Sequence, residues 1–173
     1  MSHQSKKKTD GGHPPSMPHV KVRHATKDDV PEIADLAVRL KRLNNEFDPL
    51  FSVVDDAKER ALKYIAGTLG SPKNLLLVAT HGSKVIGFLR AEMRERVFYE
   101  PHVEGHITEM YVLPEFRRKL LGHDILGQGF KELVKMGAQI VVGDLPARNE
   151  IGYHFYTKRG FRKLTETFAH MPE

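Results

Sequence analysis

Two segments of the chain hold residue types whose spacing suits chemistry. The first runs from Thr108 to Leu126. It reads as a strand, then Pro114–Glu115–Phe116–Arg117–Arg118–Lys119–Leu120–Leu121–Gly122, then helical spacing. A short cationic turn between a strand end and a helix start suits an anion. Successive backbone amides lack partners there, and the helix dipole adds about half a positive charge. Arg117, Arg118 and Lys119 raise the potential further, and a pyrophosphate fits such a nest. A basic surface turn that merely precedes a helix would show the same residues, so this segment alone leaves both readings open. The second segment runs from Asn149 to Phe161. It places an Asn at a helix start, a Phe155–Tyr156 pair in the last turns and Gly160–Phe161 at the exit. An amphipathic helix with aromatic core contacts and a glycine C-cap accounts for Phe155, Gly160 and Phe161 without chemistry. His102 and His106 are four apart, but chelation at that spacing needs a helix. Gly105 and Pro101 argue for a loop between strands, so no metal site is expected.

The surrounding pattern supplies the elements that must position these residues. His19–Ala25 alternates as a half-buried strand. Thr26, with Asp29 three positions on, opens a helix carrying Val30, Ile33, Leu36, Ala37 and Leu40 that fades near Asn44. Asn45–Val54, with Pro49, reads as a loop. Asp55 or Asp56 opens a second helix, ended by Gly70, Ser71 and Pro72. Asn74–Thr80 and Val85–Arg94 form a hairpin about a tight turn, and His106–Leu113 is a further strand. Gly122–Lys135 has helical spacing with Gly137 as its cap. Gly127 and Gly129 within it suggest close packing on the sheet. Ala138–Val142 is a short buried strand, Glu150–Lys158 a helix closed by Gly160, and Phe161–His170 alternates as a last strand. Residues 1–18, rich in Ser, Lys, Gly, His and Pro, read as a flexible basic tail before one domain over 19–173.

Together, in this order, the two segments resemble the GCN5-related N-acetyltransferase (GNAT) family. Its cofactor motif is Arg/Gln-x-x-Gly-x-Gly/Ala after a strand, commonly preceded by Val-x-Pro. This chain matches at Val112, Pro114, Arg117 and Gly122. Its later motif, Asn-x-x-Ala-x-x-(aromatic or Leu)-Tyr-x-Lys-x-Gly-Phe, is matched at Asn149, Phe155, Tyr156, Lys158, Gly160 and Phe161, with Gly152 in place of Ala. The element order matches from about Val20 to the C-terminus. The first glycine of the cofactor motif is replaced by Leu120, which permits neither close backbone approach nor positive φ readily.

The resemblance implies an α/β (α+β) fold: a single mixed, mostly antiparallel sheet flanked by helices, with a splayed strand pair at the cofactor site. It implies acetyl-CoA as co-substrate and direct transfer of its acetyl group to a primary amine in a ternary complex. The pantetheine arm would pair with the backbone of Met110, Tyr111 and Val112. The pyrophosphate would sit on the amides of Arg117, Arg118, Lys119, Leu120, Leu121, Gly122 and His123, and Asn149 would contact the arm. Tyr156 would be the general acid, and Glu109, just before Met110, the candidate base; pairing of Glu109 with a cross-strand Arg is the competing reading. The acceptor cleft would be lined by 44–56, 96–105 and 165–171, whose Glu46, Asp48, Asp55, Asp56, Glu100, Glu104 and Glu166 suit a cationic amine. The acceptor itself, a small molecule or a protein amine, stays open. The resemblance also allows a homodimer.

Composition bounds the alternatives. The chain has 173 residues, 40% of them hydrophobic, which is enough for one cored domain. Cysteine is absent, which excludes a disulfide framework, a thiol acyl-enzyme and a Cys-ligated metal. No apolar run is long enough to span a bilayer and no signal core follows the N-terminal lysines, so a cytoplasmic protein is expected. The net charge of +5 permits an anionic partner without choosing one. Two rival readings follow: a non-catalytic acyl-CoA-binding module, supported by Leu120, and a basic nucleic-acid-binding domain, supported by the charge and the lysine tail.

Overall fold

A computed structural model describes residues 19–117 and 121–172. The N-terminal segment and the motif residues Arg118, Lys119 and Leu120 lie outside the described residues.

The chain forms β1 (Val20–His24), α1 (Val30–Phe47), α2 (Ala57–Thr68), β2 (Asn74–His81), β3 (Lys84–Glu95), β4 (Val103–Val112), α3 (Pro114–Arg117), α4 (Leu121–Lys135), β5 (Ile140–Gly143) and α5 (Glu150–Thr157). One five-stranded sheet runs in the order β1-β2-β3-β4-β5. The first three pairings are antiparallel, and β5 joins β4 in parallel. A parallel pair needs a crossover, and α4 provides it. The architecture is the mixed sheet flanked by helices that the sequence implies.

The two faces of the sheet are covered by different helices. Gly129 of α4 lies so close to Leu89 of β3 that a Cβ there would sit 2.8 Å from Leu89 Cδ1. The next residue, Arg90, points the other way and reaches Thr68 of α2 with its Nε at 3.0 Å. Side chains alternate along a strand, so α4 covers one face and α1 with α2 the other. Ile33, Ile65, Leu75, Leu77, Phe88, Leu89, Ile107, Ile125 and Leu133 are fully buried in the layers between them.

The entry to α1 is set by Asp29. Its Oδ2 accepts from the Thr26 amide at 2.7 Å, and its carboxylate takes a two-pronged bond from Arg23 at 2.7 and 2.9 Å. The Arg23 hydrogen bond holds the Asp29 carboxyl below its ordinary range, against the opposing push of burial.

The structure departs from the sequence-based expectations in five places. Helix α1 runs on to Phe47, because Pro49, which cannot continue a helix, sits later than the fading apolar period suggests. A short helix, α3, precedes α4. Strand β4 begins at Val103 rather than His106, so Gly105 is in a strand and not in a loop. Strand β5 is half-buried rather than buried, since it is the edge of the sheet. Residues 161–172 form no strand and are largely exposed. Alternation there is real, but among the described residues no neighbouring ladder is offered to its backbone groups.

The two glycines of α4 behave differently, although their spacing suggested one role. Nothing lies within 4 Å of a Cβ added at Gly127. Gly127→Ala should therefore raise stability by up to about 1 kcal/mol of helix propensity, and the melting temperature with it. Gly129→Ala should lower it, because overpacking costs of about 1–3 kcal/mol exceed that gain. Thermal unfolding of the two variants checks the contrast.

Candidate active site

The site is built where β4 and β5 part. Their pairing runs Glu104↔Ile140, Gly105↔Val141, His106↔Val142, Ile107↔Gly143 and stops there. The Asp144 amide donates to Ile107 O at 3.3 Å, and the chain then leaves toward α5. Strand β4 continues to Val112 with β3 on one side only. The Leu113 amide donates to Ile86 O at 2.9 Å. Period-two alternation therefore turns the backbone groups of Met110 and Val112 to the open edge. Arg117 agrees with this: its Nε reaches Val112 O at 2.8 Å, and its guanidinium stands 5.1 Å from the Tyr111 ring centroid. Met110 and Val112, on either side of Tyr111, thus present backbone groups of the kind an extended ligand can pair with, the Val112 carbonyl being already met by Arg117.

A bulge aims the acid. Arg90 pairs with Glu109, but Ala91 pairs with Ile107, so Thr108 is an extra residue in β4. Bulges re-aim side chains and are common beside active sites. Here the bulge brings Thr108 Oγ1 to 2.6 Å from Glu109 Oε2. Glu109 is buried, and its carboxylate also accepts from Lys41 Nζ at 3.0 Å and from the Tyr64 hydroxyl at 3.1 Å. Arg90 Nη1 lies 3.6 Å away. Burial alone would push this carboxyl up. The Lys41 charge, the Thr108 hydrogen bond and Arg90 overrule it and hold it below the ordinary range. Tyr64 is pushed up to about 12 by burial and by the Glu109 charge. Its hydroxyl is a fixed donor.

Tyr156 approaches the fork from α5. It is buried, packed edge-on against Phe155 and Phe161 at 5.5 and 5.1 Å. A Cβ on Gly143 would lie 3.1 Å from its hydroxyl oxygen, so glycine at that strand end lets the phenol reach the place where β4 and β5 part. Burial, and then the Asp144 charge, push Tyr156 up to about 12.

Asn149 is the N-cap of α5, with Oδ1 accepting from the Gly152 amide at 2.8 Å. A Cβ on Gly152 would stand 2.8 Å from Asn149 Nδ2, which explains glycine at the position where the later motif has Ala. The cap uses the side-chain oxygen and not the amide nitrogen. Gly122 is likewise a packing glycine, since a Cβ there would meet Phe155 Cε2 at 3.1 Å. That contact joins the start of α4 to α5. The amides of Leu121, Gly122 and His123 lie in the first turn of α4.

The remaining sequence candidates separate. His102 and His106 flank one strand segment, and a strand rise puts residues four apart roughly 13 Å from each other, too far to share a metal. Among the described residues, no group of three or more His, Asp or Glu side chains could hold a metal ion. No described helix is long and apolar enough to cross a membrane. Of the acidic rim, Asp48 accepts from the Leu50 amide, Asp56 pairs with Arg60, Glu104 with His106, and Glu166 with Lys163. The sequence reading missed Lys41 and Tyr64 as partners of Glu109, and it missed Asp144. A carboxylate directly after the strand that follows α4 was the available signal for the last.

The comparisons with known proteins agree with this geometry. The model of the Acetyltransferase (GNAT) family matches residues 40–161. The aminoalkylphosphonate N-acetyltransferase of Salmonella typhimurium is 24% identical over 147 residues, spanning 85% of this chain and 88% of that protein. The solved structure of the aminoglycoside N-acetyltransferase AAC(6')-Iy in complex with CoA superposes with a TM-score of 0.72 at 15% identity, covering 89% of this chain and 95% of that one. A predicted acetyltransferase of Clostridium acetobutylicum with acetyl-CoA gives a TM-score of 0.72 at 17% identity, covering 88% and 96%. The chain belongs to the GNAT family and is an acetyl-CoA-dependent N-acetyltransferase.

The Glu109 cluster has a stability signature. A carboxyl whose folded pKa is depressed stabilises the fold above its unfolded pKa, and that contribution is lost as pH falls through the folded value. Glu109→Gln should be less stable than wild type at pH 7. The gap should close as pH drops below about 4, the unfolded range. Denaturant titrations at several pH values check this; a gap independent of pH would contradict it.

Proposed function

We propose that the chain transfers the acetyl group of acetyl-CoA to a small primary amine by direct attack in a ternary complex. The observation that carries the reading is the fork: an open half-strand, a phenol on one side and a buried carboxylate on the other. The relatives' names point to amine acceptors: one acts on aminoalkylphosphonates and another on aminoglycosides. Acetyl-CoA would supply an activated acyl group with a thiolate leaving group.

The chain's own residues then have distinct tasks. The Met110–Val112 edge holds the pantetheine arm by backbone pairing, the first turn of α4 holds the pyrophosphate, and the Asn149 amide nitrogen contacts the arm. The Met110 amide faces the open edge and stabilises negative charge on the thioester oxygen. Holding both substrates at the fork makes the encounter effectively unimolecular.

Tyr156 stays protonated throughout the working range. A phenol near 12 is a poorer acid than a thiol near about 8.5. Full proton transfer to the thiolate is therefore uphill, and the phenol acts chiefly by donating a hydrogen bond as negative charge builds on sulfur. Glu109 is ionised and so is ready to accept a hydrogen bond from the ammonium, directly or through water. Its depressed pKa makes it a weak base, so only a small fraction of the bound ammonium gives up its proton, and that neutral amine is the species that attacks.

The test is release of free thiol from acetyl-CoA across a panel of amines. Wild type should turn over at least one primary amine; tight CoA binding with no turnover of any amine would favour a non-catalytic module. Tyr156→Phe should lower kcat by roughly tenfold or more with CoA affinity nearly unchanged. Unchanged kcat would remove Tyr156 from the mechanism.

A further inference from the structure

His106 and Asp144 make a side-chain bridge across the two strands at the point of parting. His106 Nε2 lies 2.7 Å from Asp144 Oδ2. His106 is buried, while the Asp144 side chain is 71% exposed. The other ring nitrogen, Nδ1, lies 2.7 Å from both Arg94 Nη1 and Glu104 Oε1. It accepts from Arg94 when bare and donates to Glu104 when protonated. In either state Nε2–H can remain on Asp144. One carboxylate oxygen of Asp144 is thus held in both forms of the ring, and no described side chain other than His106 bonds to the carboxylate.

The direction of this carboxylate matters. A Cβ on Gly105 would point at Leu133 and Ala138, on the α4 side, so His106 faces the opposite side of the sheet. That side carries Arg90, with Glu92 opposite His106 and Arg94 opposite Glu104 in the register. A Cβ on Gly143 would point at the Tyr156 hydroxyl, and Asp144 bonds to the ring on the other face. The fork is therefore flanked by a phenol on one face and an exposed, fixed carboxylate on the other. The charge of Asp144 reaches Tyr156, whose ionisation it opposes.

The geometry points to Asp144 as the residue that receives the ammonium group of the acceptor, with His106 as the positioning residue that holds its carboxylate. This rests on the acetyltransferase reading and deepens it toward an acceptor class: amines that are cationic when they bind. An ammonium donates a charge-assisted hydrogen bond to a carboxylate oxygen. Glu109 is less suited to this first capture, because Lys41, Tyr64, Thr108 and Arg90 already surround it. A weakly basic aromatic amine, neutral at pH 7, has no charge for Asp144 to meet.

The experiment compares KM and kcat for an alkyl amine and for an aromatic amine, together with the Kd for CoA. Asp144→Asn should raise KM for the alkyl amine about tenfold, the loss of one charge-assisted bond. KM for the aromatic amine and Kd for CoA should stay within about twofold. His106→Gln keeps an N–H donor and should keep the alkyl-amine KM within about threefold of wild type, whereas His106→Leu should raise it toward the Asp144→Asn value. An alkyl-amine KM unchanged in Asp144→Asn, or raised equally for both amine types, overturns the assignment of Asp144. A His106→Gln variant as impaired as Asp144→Asn overturns the role of His106, and this comparison decides even if His106→Leu does not fold. Wild type that acetylates no amine sinks the acetyltransferase reading itself, which is a separate result.

Discussion

Everything in this structure that bears on function follows from one interrupted ladder. Strands β4 and β5 pair as far as Ile107 and Gly143 and no further. A fully paired strand would have no backbone groups to offer. A lone strand would have no fixed geometry, since its other side would be free as well. Here β3 holds β4 rigid along its whole length while β5 releases it halfway. The open edge is thus preorganised, and a ligand that pairs with it pays little ordering entropy beyond its own.

The residues around the fork are those that this geometry requires. Gly143 at the end of β5 admits the Tyr156 phenol. The extra residue Thr108 turns Glu109 into the layer beneath α1 and α2, where Lys41 and Tyr64 meet it. Gly122 lets the Phe155 ring pack close against the start of α4, which ties that helix start to α5 and its Tyr156. Sheet, helix start and aromatic pair are therefore in contact around the fork, and they come from segments widely separated in sequence.

That separation decides what was legible in the sequence. The strand, turn and helix around Pro114 to Gly122 could be read because proline, arginine and glycine have local conformational meanings at those spacings. The Asn149 to Phe161 segment was legible for the same reason, and the element order followed from apolar periods. The partners of Glu109 were not legible: Lys41 is 68 positions away and Tyr64 45, and no local rule joins them. The bulge at Thr108 was equally hidden, because nothing in the side chains of β4 announces an extra residue. Residues 161–170 mark the limit in the other direction. Their alternation reads as a strand, but a strand is defined by its neighbour, and among the described residues they have none.

Amide hydrogen exchange with and without CoA tests the open edge most directly. The account predicts that CoA slows exchange at Met110 and Val112 and leaves β1, on the far side of the sheet, unchanged. Binding of CoA with no added protection at Met110 and Val112 would contradict it, because the ligand would then be held somewhere other than on the half-strand that β5 leaves free.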